Sequence, residues 1–229
     1  MLFDGRFYPI ETLVFDSENQ SDSKKFADIS KDLLDKRLDY YCSRDLYQHS
    51  FLRLLPFHTV LSNEVYEKWD QLLEKMDITY QIFLYALSDN RNTVDVNFAF
   101  LAELAEPFVE LIKENTVYCQ SLTPGERGTT LKMCIESIIT HYGSDIYSSE
   151  LEDHYSDFLD NVVGSRVRIM HIKKKQKKYF DGKACNRYSQ KFSLLYRRIL
   201  LELLGIPYNN YETSLKKAIN IIDNIKHEG

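Results

Sequence analysis

Chain breakers are scarce here: 8 glycines and 5 prolines punctuate 229 residues that include 16 tyrosines and 13 phenylalanines. A turn-rich β architecture needs frequent Gly and Pro, whereas helices accept long runs of bulky residues, so the expected fold is all-α. Apolar positions at helical spacing start with Phe26, Ile29, Leu33, Leu34 and Leu38, and a second piece runs near Leu46 to Leu55, ended by Pro56. Ser62 is placed to cap a helix carrying Val65, Trp69, Leu72, Leu73 and Met76. After a polar loop at 88–93, the spacing predicts a helix over Val94 to Val117 with a kink at Pro107. Another carries Leu131, Ile135, Ile138, Ile139 and Tyr142, with Gly143 as its C-cap. Three more are expected at about 149–172, 184–204 (stopped by Gly205 and Pro207), and from Leu215 to Ile225. Arg6 to Asp16 reads as a short extended arm. The division this suggests is an N-terminal region over 1–90 and a helical domain over 91–229.

Several classes of function lack their signatures. Glycine-rich phosphate loops, HExxH and GxSxG are absent, so no nucleotide cofactor is expected, and no metal. Cys42, Cys119, Cys134 and Cys185 stand singly, without zinc spacing, which fits reduced thiols in a cytoplasm. The densest apolar run, Tyr80 to Leu87, is far short of the ~20 residues of a membrane span, and no membrane partner is expected.

The net charge of −5 is distributed unevenly. From Arg166 to Arg198 there are 12 Lys and Arg and one acid, Asp181, whereas the rest of the chain is strongly acidic. A basic segment on an acidic body points to a local polyanion site. Within it, Arg166 precedes His171 by five residues. That pair suits RNA cleavage by the substrate's own 2′-hydroxyl: an imidazole moves the proton and a guanidinium stabilises charge on the phosphate. The spacing is not decisive alone. With 11 Arg and 6 His, an Arg followed by His after four to six residues is expected by chance about once, and Arg44/His49 and Arg53/His58 also satisfy it.

Context selects Arg166 and His171. The pair ends an amphipathic helix, leads into a lysine-rich loop, and is followed by the apolar run from Phe192 to Gly205-Ile206. Upstream, Asn97-Phe-Ala-Phe-Leu-Ala-Glu-Leu-Ala-Glu106 ends an apolar helix in acidic residues. In these features residues 94–206 resemble the HEPN superfamily, and within it the Apea-like group associated with bacterial defence. The resemblance implies an HEPN-like bundle, preceded here by further helices, that works as a metal-independent endoribonuclease. Arg166 would contact phosphate and His171 would act on the proton. The family's site forms between two protomers, which implies a homodimer. Arg168, Lys173, Lys174, Lys175, Lys177 and Lys178 are the expected RNA contacts, and Glu106 reads first as a structural helix residue and second as a partner for a site arginine. The family usually has Asn, Asp or His directly after the arginine, where this chain has Val167. That departure keeps open a non-catalytic module that binds RNA or protein. Arg44-Asp45 meets the polar rule better, but Pro56 breaks the helical frame that should follow. On an unbroken helix Arg166 and His171 would point about 140° apart, whereas Arg168 and His171 would share a face.

Overall fold

The computed structural model describes residues 54–55, 62–87, 92–115 and 129–224, together with the backbone of residues 13–15 and 25–28. The described residues are overwhelmingly helical, so the fold is all-α. In chain order the helices are α1 (Asn63–Leu87), α2 (Val94–Glu103), α3 (Ala105–Asn115), α4 (Leu131–Tyr142), α5 (Ser148–Glu152), α6 (Tyr155–Met170), α7 (Gly182–Leu203) and α8 (Glu212–Asn224). A 3-10 turn, Tyr208–Asn210, leads into α8. Near the N-terminus β1 (Leu13–Phe15) pairs antiparallel with β2 (Lys25–Asp28). Phe26, expected to open a helix, lies in β2, and Leu54 and Leu55 are buried in non-helical backbone. The remainder of the helices expected before residue 56 falls outside the described residues, as do Arg44/His49, Arg53/His58, Cys42, Cys119 and Ile225.

The caps explain most boundaries. Ser62 Oγ accepts from Val65 N at 3.2 Å, Thr130 Oγ1 from Met133 N at 3.3 Å, and Asp181 Oδ1 from Ala184 N at 2.7 Å. Each meets an N–H that has no partner inside its own helix. Gly205 ends α7 with φ 76°, a conformation in which a Cβ is strained. Three expected helices are interrupted. α1 is kinked at Asp77, whose backbone is non-helical (φ 36°, ψ −114°). The helix expected over 149–172 is divided at Asp153–His154, where His154 takes a left-handed φ of 57°. The helix expected over 94–117 is divided at Leu104, four residues before Phe108 and ahead of the expected kink at Pro107.

α7 is the central helix, packed on α2, α3, α4 and α8. Its Tyr196 stacks on Phe108 at 4.3 Å, and its hydroxyl donates to the Leu101 carbonyl at 2.7 Å. Phe83 of α1 meets both Phe108 and Tyr196 edge-on, so α1 shares this core. Cys134 and Cys185 are buried, and burial pushes the Cys185 thiol up to about 12, which makes it a small hydrophobe. Midway along α7 lies an ionic cluster: Lys191 Nζ donates to both oxygens of Glu150 at 2.9 Å and lies 3.0 Å from Asp223 of α8. Arg187 bonds the same aspartate at 2.7 Å. Among the described residues no helix is long and apolar enough to cross a membrane.

Candidate functional site

Pro107 determines where α2 ends. A proline ring inside a helix collides with the carbonyl four residues earlier, here that of Glu103, and α2 stops at that residue. α3 restarts at Ala105, leaving Pro107 in a first turn whose N–H groups need no intrahelical acceptor. Glu103 thereby sits at this interruption, where the backbone of Leu104 stays in the helical region. Arg166, near the end of α6, is its partner. Its Nη2 donates to Glu103 Oε1 at 2.8 Å and its Nε to Oε2, so the carboxylate takes one edge of the guanidinium. Nη1 meets His171 Nε2 at 2.9 Å.

This contact across five residues lies at the end of α6. α6 stops at Met170, His171 leaves helical backbone (φ −109°, ψ 7°), and Ile172 is left-handed (φ 52°). A positive φ is costly for a β-branched residue, and Ile172 is also 80% exposed. His171 still donates its backbone N–H to the Val167 carbonyl at 3.1 Å, and the long arginine side chain spans the distance to the imidazole. A guanidinium only donates, so in this contact Nε2 is the acceptor. His171 is exposed, whereas the Arg166 side chain is only 21% exposed. Bonding to Glu103 holds Arg166 in its charged form, and Glu106 adds to this from further away. Glu103 is therefore the carboxylate partner, not Glu106.

The lysine loop returns across α6. An added Cβ on Gly164 would sit 1.8 Å from the Lys178 carbonyl oxygen, so only glycine admits the strand of chain that crosses there. Next to it, Ser165 Oγ accepts from Phe180 N at 2.8 Å. Phe180 anchors the end of the loop among Phe98, Phe158 and Tyr188. Gly164→Ala is expected to cost about 1–3 kcal/mol, although alanine is the better helix former, because the clash is with backbone. Chemical denaturation of the two proteins measures it, and an alanine variant as stable as wild type would mean that the loop does not seat on α6.

The other expected contacts fare differently. Lys173, Lys174, Lys175 and Lys177 are exposed, with no ion-pair partner among the described residues. Lys178 is committed inside the fold, donating to Asp157 at 2.9 Å and Asp160 at 2.8 Å. Lys132 and Lys178 hold the Asp160 carboxyl down at about 2. Arg168 does not join His171; its guanidinium lies over the Tyr179 ring, 3.9 Å from the centroid. The basic segment as a whole is less exposed than its composition implies. Arg187, Lys191 and Arg198 pair with Asp223, Glu150 and Asp145, on the inner side of α7 or at its flanks. The exposed positive charge is concentrated in the loop after His171.

Sequence reasoning did not find Glu103. It is 63 residues from Arg166, and its only local sign is an acid four residues before a proline. No protein-family model, curated protein or solved structure matches this chain. Among the described residues no group of His, Cys, Asp and Glu is arranged to hold a metal ion.

Proposed function

We propose that this chain is an endoribonuclease of the HEPN type, with Arg166 binding the scissile phosphate and His171 moving the proton. The observation that carries this reading is the 2.9 Å contact between Arg166 Nη1 and His171 Nε2. It joins a phosphate-binding group to a proton acceptor at the surface, beside four lysines that pair with no acid among the described residues. A phosphate drawn to the terminal nitrogens of Arg166 brings the adjacent ribose 2′-hydroxyl to the imidazole. His171 Nε2 then releases the guanidinium and takes the hydroxyl proton. The 2′-oxygen attacks phosphorus, the bond to the 5′-oxygen breaks, and that oxygen takes up the proton, leaving a 2′,3′-cyclic phosphate and a 5′-hydroxyl. Lys173, Lys174, Lys175 and Lys177 hold neighbouring phosphates, with Arg168 on Tyr179 beside them. The HEPN resemblance extends the reading to a cytoplasmic homodimer acting in defence against phage, by abortive infection.

A second reading is favoured by Val167, which has no polar group to support the arginine: an RNA- or protein-binding module without catalysis. Incubating the purified protein with total RNA in EDTA separates the two. Cleavage by wild type and by His49→Ala, reduced about 10²–10³-fold in Arg166→Ala, is the expected result. RNA that is bound in a salt-sensitive way but left intact would select the second reading.

A further inference from the structure

We propose that Glu103 is the positioning residue of this site: it fixes the plane of the Arg166 guanidinium so that its outward N–H groups meet phosphate and His171 rests against Nη1 until the 2′-hydroxyl arrives. The inference rests on the nuclease reading and assigns a role to a residue outside the Arg/His pair. A guanidinium has five N–H donors in a rigid plane. Glu103 engages Nε and Nη2, and His171 meets Nη1. Three donors are used in this way, and one remains on each terminal nitrogen. A phosphate can therefore be taken by Nη1 and Nη2 without displacing the carboxylate.

Two features make Glu103 a holder of the arginine. The contact is two-pronged, which fixes the plane as well as the position. The carboxylate also stands on a helix end set by Pro107, and its side chain is about one-third exposed, so its own position is determined by the fold. Arg166 is a long side chain with many rotamers. Without Glu103 its guanidinium has no fixed plane, and the imidazole that leans on it loses its tautomer and orientation. An arginine anchored only by its stem would still attract RNA, but would rarely present phosphate and imidazole in one geometry.

The test uses the full chain as wild type, Glu103→Ala and Glu103→Gln, with single-turnover cleavage of RNA and binding of a 2′-deoxy oligonucleotide, which cannot be cleaved. Loss of positioning slows cleavage in Glu103→Ala by about 10–100-fold. Affinity for the deoxy oligonucleotide should stay equal or rise slightly, because a negative charge has gone. Glu103→Gln, which retains one acceptor for the guanidinium, should recover part of the rate. Unchanged or faster cleavage by Glu103→Ala would overturn the proposal, because the carboxylate would then be a competitor of phosphate. So would equal loss of rate and binding with no recovery in Glu103→Gln. Nitrogen-15 spectra of the Arg166 Nε–H and the His171 ring separate this from failure of the nuclease reading. If wild type does not cleave, a His171 ring that shifts from one tautomer to a mixture in Glu103→Ala still upholds the positioning role, and an unchanged ring refutes it.

Discussion

Replacing Lys191 by methionine is expected to lower stability by about 3–5 kcal/mol. The lysine is 1% exposed and Glu150 7%, so each ion has given up its hydration for the other. Methionine fills most of the space but leaves the Glu150 carboxylate buried without its closest cation. Arg187, at 3.7 Å, compensates part of that charge and moves the expected loss toward the lower end of the range. Asp223 keeps Arg187 at 2.7 Å and contributes little to the loss. The contrast is with the double variant Lys191→Met/Glu150→Leu, which removes both buried charges and should recover most of the deficit. Urea unfolding of the three proteins decides it. A double variant as unstable as the single would mean that packing, and not the unpaired charge, dominates at this position.

His171→Ala should slow RNA cleavage by about 10²–10⁴-fold, the range for loss of a general acid or base. The fold should be unaffected, since the ring is exposed and caps nothing by its side chain. Arg166→Ala and the double variant Arg166→Ala/His171→Ala give a sharper test. Groups that act as one unit lose most of their effect with the first removal. The double variant should therefore fall little below the worse single variant, whereas independent contributions would multiply. A multiplicative loss would separate Arg166 from His171 and leave their 2.9 Å contact without mechanistic meaning.

Helix ends with a chemical signature were legible in the sequence. Ser62 and Gly205 act as read, and Gly143 stands at the C-cap of α4. Breaks without a signature were not. His154 takes a left-handed backbone in the middle of what spacing reads as one helix, and no neighbouring Gly or Pro announces it. Pro107 is legible as the kink in the helix over 94–117, and its ring acts one turn earlier, at Glu103 and Leu104. The site followed the same division. Arg166 and His171 were chosen by their flanks, yet regular helix geometry favoured Arg168 as the partner of His171. The long Arg166 side chain reaches His171 at the helix end, and Arg168 turns to Tyr179 instead. Charge was the least faithful signal, because a linear count does not distinguish Lys191, buried on Glu150, from Lys174 in solvent.

The seat of the loop on Gly164 and Ser165 bears on the entropy of binding. A free polylysine segment that met a polyanion would have to order its backbone at about 1–2 kcal/mol per residue. Here the closure is made during folding, by Ser165 and Phe180, before any ligand arrives. Only the side chains of Lys173, Lys174, Lys175 and Lys177 remain to be immobilised, at about 0.5–1.5 kcal/mol each. The conformational cost of holding a polyanion is thus charged largely to the stability of the fold, and an alteration that unseats the loop transfers it back to the binding step.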